Sequence, residues 1–153
     1  MLSLPMLAFR MTGIDEFIEL SIDEVWGFPN ETNYGGGYYA KGLLSIRAGA
    51  YSVSAEHYFT TGELYRFFIA LKQGFDTLSG EAVLENTERE LELKCEFTKL
   101  GHVIISGTFQ AIPSVNNFLS FAIKTDQTQV KDSISNLQAV YDVFGDNKGK
   151  RET

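Results

Sequence analysis

Residues 101–128 read GHVIISGTFQAIPSVNNFLSFAIKTDQT. Two apolar stretches, 102–112 and 117–125, flank a turn that holds Pro113, Asn116 and Asn117, and each reads as a strand. A connection this short predicts an antiparallel pair, because parallel strands need a crossover of about a dozen residues or more. Asp126 follows as a helix N-cap, with Gln129 three residues later as its capping partner. The helix it starts, 127–144, carries Val130, Ile134, Leu137, Tyr141 and Phe144 on one stripe. A hairpin that runs directly into an amphipathic helix points to an α+β fold.

Upstream, residues 90–98 (ELELKCEFT) alternate strictly, with apolar residues at every odd position. A strand at 80–86 precedes them. Before that, Thr60 and Glu63 form a capping box for a helix over 60–77, with Leu64, Phe67, Phe68, Leu71 and Phe75 on one face. Strands are expected at 17–26, 41–47 and 51–59, the last two joined by a tight turn at Ala48-Gly49-Ala50. Residues 1–16 are either a lead-in or a short strand about 7–9. The polar tail 145–153 is expected to be flexible. The resulting order is β-β-β-α-β-β-β-β-α, an antiparallel sheet of about seven strands with two helices on its apolar face. The whole chain, 1–153, reads as a single domain.

The net charge of −7 argues against a general nucleic-acid binder and against anionic membranes, and it permits a basic partner. A single cysteine, Cys95, forbids an intramolecular disulfide and suits a reducing compartment. The first residues, MLSLPMLAFRM, lack an early positive charge and are broken by Pro5, so no signal peptide is expected; Met11 is an alternative start. No apolar run reaches 18 residues, and the expected location is the cytoplasm.

No stretch carries a catalytic or metal-binding signature. His57, His102 and Cys95 do not form a nucleophile pair if Cys95 points inward, and neither a metal nor a cofactor is expected. Keeping apolar residues on one face sets Leu84 opposite Leu91, Glu85 opposite Glu90, Glu81 opposite Lys94, and Glu96 opposite His102. The outer face then gathers Glu81, Glu85, Glu90, Glu92 and Glu96 around Lys94. Like charges facing one another add nothing to stability, whereas a basic partner would gain from them. A second candidate surface is the glycine-rich loop 27–39, where Tyr34, Tyr38 and Tyr39 flank three glycines. These eight residues are the partner-binding candidates. The alternative is a small-molecule-binding or enzymatic α+β domain with a pocket near a histidine.

The segments GHVIISG (101–107) and NNFLSFAIKTDQT (116–128), with LYRFFIALKQGFDTLSGEAVLE (64–85) before them, resemble the WapI-like family of bacterial immunity proteins. The resemblance runs over about residues 17–144. It implies a small cytoplasmic antitoxin, encoded beside a large secreted toxin, that binds and neutralises the toxin's C-terminal domain without doing chemistry. In the wall-associated protein system that domain is a tRNA-cleaving nuclease. The resemblance transfers no binding residues, because partner specificity belongs to variable surface.

Overall fold

Period-two alternation and two amphipathic stripes organise the protein into nine strands and two α-helices among the described residues. The structure, a computed structural model, describes residues 3–88 and 90–150. In chain order the elements are β1 (Met6–Thr12), β2 (Phe17–Ile22), β3 (Glu24–Trp26), β4 (Tyr39–Ala48), β5 (Tyr51–Thr60) and α1 (Thr61–Thr77). There follow β6 (Glu81–Leu84), β7 (Leu91–Phe97), β8 (His102–Phe109), β9 (Leu119–Asp126) and α2 (Gln127–Phe144). The class is α+β with antiparallel pairing throughout.

The strands form two sheets rather than the single sheet expected. The first has the order β1-β2-β4-β3 with β5 on the other side of β4, and the second runs β6-β7-β8-β9. The sheets are tied at two places. Thr125 Oγ1 donates to the Thr12 carbonyl at 2.6 Å where β9 approaches β1, and Asn86 Nδ2 donates to the Tyr58 carbonyl on β5 at 3.2 Å.

Each helix crosses to the sheet it did not come from. The first follows β5 and packs on β6; the second follows β9 and packs on β1. Ser133, buried in α2, donates to the Arg10 carbonyl at 2.8 Å. Gly74 of α1 leaves room for the Phe97 ring, which a Cβ there would strike. Phe9 of β1 meets Phe67 of α1 edge to face at 5.6 Å, a geometry that contributes about 0.5–1.5 kcal/mol beyond the area buried. One contiguous core results, with Ile18, Leu20, Leu44, Ile46, Leu93, Ile105 and Ile123 facing the helix stripes.

The expected strand 17–26 is interrupted. Leu20 pairs with Leu44 and Glu24 pairs with Lys41, so four steps on one strand meet three on the other. This extra residue is a β-bulge at Ser21–Asp23. Gly42 sits opposite it, and a Cβ there would run into the Ser21 carbonyl. After the bulge the facing inverts: Val25 pairs with buried Ala40, while Trp26 pairs with Tyr39 on the outer face. Unbroken alternation from Ile18 would have turned Trp26 inward.

The Thr60 capping box forms as expected, with Glu63 N donating to Thr60 Oγ1 and Thr60 N donating to Glu63 Oε1. The second cap is one-sided. Asp126 accepts from the amides of Thr128 and Gln129, but the Gln129 side chain accepts instead from Thr12 Oγ1 at 2.9 Å. The segment 145–150, expected to be loose, folds back so that the Lys148 carbonyl accepts from the Gly37 amide at 2.8 Å. Residues 151–153 of the expected tail lie outside the described residues.

Candidate partner interface

The alternation of β6 and β7 turns Glu81, Val83, Glu92, Lys94 and Glu96 to the outer face of the second sheet. The register there is two residues away from the expected one. Leu84 pairs with Leu93, Ala82 with Cys95 and Val83 with Lys94. Glu81 therefore faces Glu96 directly, not Lys94, although Lys94 Nζ still reaches Glu81 Oε2 diagonally at 3.6 Å. His102 faces Asp126, not Glu96, and Cys95 pairs with Ile105. A slip of two leaves every side chain on its face, so the acidic surface survives while its pairs change.

The cause of the slip is the turn 85–90. It is organised from α1, not by the strands beside it. Glu63, only 2% exposed, accepts from Thr87 N at 2.6 Å and from Asn86 Nδ2 at 3.3 Å. Asn86 Oδ1 accepts from Glu90 N at 3.2 Å and closes the turn. Glu85 stays exposed beyond the end of β6. Glu90 turns in, its side chain 13% exposed with Oε2 at 3.6 Å from Nδ1 of buried His57. Glu85 and Glu90 therefore do not face each other as a surface pair. Glu81, Glu85, Glu92 and Glu96 remain exposed on this side. A groove of about 640 Å³ opens here, lined by Val83, Glu85, Asn86, Glu92, Lys94 and Ser106 among others.

The three tyrosines separate. Tyr38 is 8% exposed, stands edge-on to Phe28 at 5.0 Å, and donates its hydroxyl to the Pro29 carbonyl at 3.3 Å. Its backbone is held by the first turn of α1: Tyr38 N donates to Thr61 Oγ1 and Thr61 N donates to the Tyr38 carbonyl. Gly36 and Gly37 have positive φ and come close to Gly62, so the three glycines serve a tight helix approach. Tyr34 is 59% exposed. Tyr39 lies on the outer face of the first sheet, stacked at 6.0 Å on Tyr58 and tilted against Trp26 at 5.5 Å. Partial burial, then the negative charge of Glu88, raises its phenol above the ordinary tyrosine range.

Trp26 and Tyr58 complete an aromatic row that periodicity did not expose. The bulge hid the first, since alternation from Ile18 assigns it to the core. Tyr58 was visible only as the outward partner of buried His57 and Phe59 in β5. Lys41 lies in the same row, with Nζ 3.6 Å from both Glu24 and Glu56, which raise its pKa in that order.

Neither histidine lines the large groove. His57 is packed between Phe59 and Phe109, and Cys95 is fully buried, its thiol pushed up to about 12 by desolvation. Among the described residues no group of three or more His, Cys, Asp or Glu side chains is placed to hold a metal ion. No described helix is long and apolar enough to cross a membrane.

No curated protein matches the chain significantly. The family model described as the immunity protein WapI-like family matches residues 10–145, from within β1 to just past α2. With most of its length matched, the chain belongs to the immunity protein WapI-like family.

Proposed function

We propose that this protein is an antitoxin that binds the C-terminal domain of a secreted toxin encoded beside it, and neutralises that domain in the cytoplasm of the producing cell. The toxin domain in this reading is a basic nuclease that cleaves tRNA. The observation that carries the proposal is the family match over residues 10–145. The acidic groove of the second sheet supports it physically. An enzyme that holds RNA presents clustered Lys and Arg, and a glutamate-lined face attracts that surface and competes with the phosphates for it. Glu81 facing Glu96 is a cross-strand pair that a partner's cation would relieve. Inhibition then works by occupation, with no chemistry on the antitoxin.

The test is co-expression of the neighbouring toxin's C-terminal domain with and without this protein. Growth restored only in its presence is expected; equal arrest in both cultures overturns the proposal. The triple variant E81K/E92K/E96K should bind the toxin domain at least tenfold more weakly, with a shallower dependence on salt. Unchanged affinity would remove the acidic face from the mechanism.

A further inference from the structure

We infer that the aromatic row on the outer face of the first sheet, with Tyr34 beside it, is the anchor of this interface and receives a lysine or arginine side chain of the toxin domain. The inference rests on the antitoxin reading and adds where the partner is gripped and by what chemistry.

Trp26 and Tyr34 are 42% and 59% exposed, and the half-buried Tyr39 and Tyr58 follow Trp26 along the row. Trp and Tyr are the residue types that most often dominate binding energy when a partner covers them. Their ring faces are electron-rich and attract cations. Glu24, Glu56 and Glu88 border the row, and among the described residues the single charge of Lys41 is shared between Glu24 and Glu56. The complement of such a surface is a cationic side chain with an apolar stem.

The concavity has a matching size. A cleft of about 200 Å³ beside Tyr39 is lined by Trp26, Gly27, Glu31, Thr32 and Asn33. Pockets for small molecules run to roughly 300–1,000 Å³, so this one suits a single inserted side chain. The row also adjoins the acidic groove. The turn 85–90 contributes Glu85 and Asn86 to the groove, and Thr87 and Glu88 to a small cleft shared with Tyr34 and Tyr39. One partner can therefore lie across both, with charge on one side of the turn and aromatic anchorage on the other.

Trp26 is the chain's only tryptophan. Protein labelled with 5-fluorotryptophan gives one fluorine resonance from within the proposed anchor. Titration with the catalytically inactivated toxin domain should shift or broaden that resonance and reduce its sensitivity to solvent. Tyr34→Ala and Glu56→Lys, both surface changes, should weaken binding at least tenfold with unchanged urea midpoints, and Tyr34→Phe should restore most of the affinity. Tyr51→Ala is the control, 68% exposed at the far end of β5, and should stay within twofold of wild type. If Tyr34→Ala and Glu56→Lys also bind within twofold and the resonance does not move, while the wild-type protein still neutralises the toxin, the anchor is refuted and the antitoxin reading stands. If the wild-type protein does not bind the toxin domain, both are refuted.

Discussion

Replacing Glu63 with alanine tests whether one buried carboxylate fixes the turn that joins the two halves of the interface. Its Oε1 accepts from Thr60 N at 2.9 Å and from Asn86 Nδ2 at 3.3 Å, and its Oε2 accepts from Thr87 N at 2.6 Å. Hydrogen bonds to a charged group contribute roughly 1.5–3 kcal/mol each. Losing all three is offset by relief of the carboxylate's own desolvation, which is several kcal/mol. The net expectation is a loss of about 3–5 kcal/mol, a large part of the roughly 5–15 kcal/mol that stabilises a domain. Glu63→Gln keeps the shape and one acceptor but aims an NH₂ group at a backbone N–H, and should lose about 2–3 kcal/mol. Urea unfolding gives the loss as a lower midpoint at unchanged slope. Hydrogen exchange locates it: the Thr60 and Thr87 amides should lose protection before the core strands do. A loss under about 1 kcal/mol for Glu63→Ala, with Thr87 still protected, would refute the view that α1 organises the turn.

Three further outcomes follow from the packing. Phe68→Ala removes a ring that is 2% exposed in the α1 stripe and should cost about 3–5 kcal/mol in urea unfolding; a loss below 1.5 would mean the site collapses around the gap. Gly42→Ala drives a methyl group into the Ser21 carbonyl and should cost about 1–3 kcal/mol, with a change in Trp26 fluorescence because the bulge must shift. No change in either would show that the bulge does not depend on that glycine. Cys95, buried with its thiol pushed up to about 12, should resist a thiol reagent at pH 8 until denaturant is added; rapid labelling of the native protein would contradict the burial.

The elements that were legible in the sequence are those whose stabilising partners are local. β7 alternates without interruption, and Thr60 and Glu63 cap α1 from three residues apart. Both helices show their apolar stripes for the same reason, although in α2 the buried set is Val130, Ser133, Leu137, Val140 and Phe144, with Tyr141 at its edge. β1 shows no clear period of two because its register shifts between Leu7 and Phe9, which buries Ala8 and Phe9 in succession and breaks the alternation. The division into two sheets rests on ties between residues far apart, such as Thr12 with Thr125. Alternation determines which face a side chain takes but not which residue it meets, and the hairpin register was accordingly displaced by an even number. In the candidate interface, Glu90 and Tyr38 turn inward because each meets a partner from a distant segment, His57 in one case and Phe144 in the other.

The bulge at Ser21–Asp23 makes the identity of the aromatic face a matter of parity. A substitution at 17–22 leaves the count of residues between Ile18 and Trp26 intact, so the core and the outer row vary independently. Deleting one residue within the bulge would leave three steps against three, so regular alternation from Ile18 would keep Val25 inward and Trp26 outward, and the deletion would be absorbed. Lineages that change only by substitution can re-tune Tyr34, Glu56 or Glu88 while the indole keeps its place. Loss of Glu24 with the bulge kept would instead set Val25 opposite Lys41 and Trp26 opposite Ala40, rewriting the recognition surface and the hydrophobic interior together, and a viable chain would have to repair both at once.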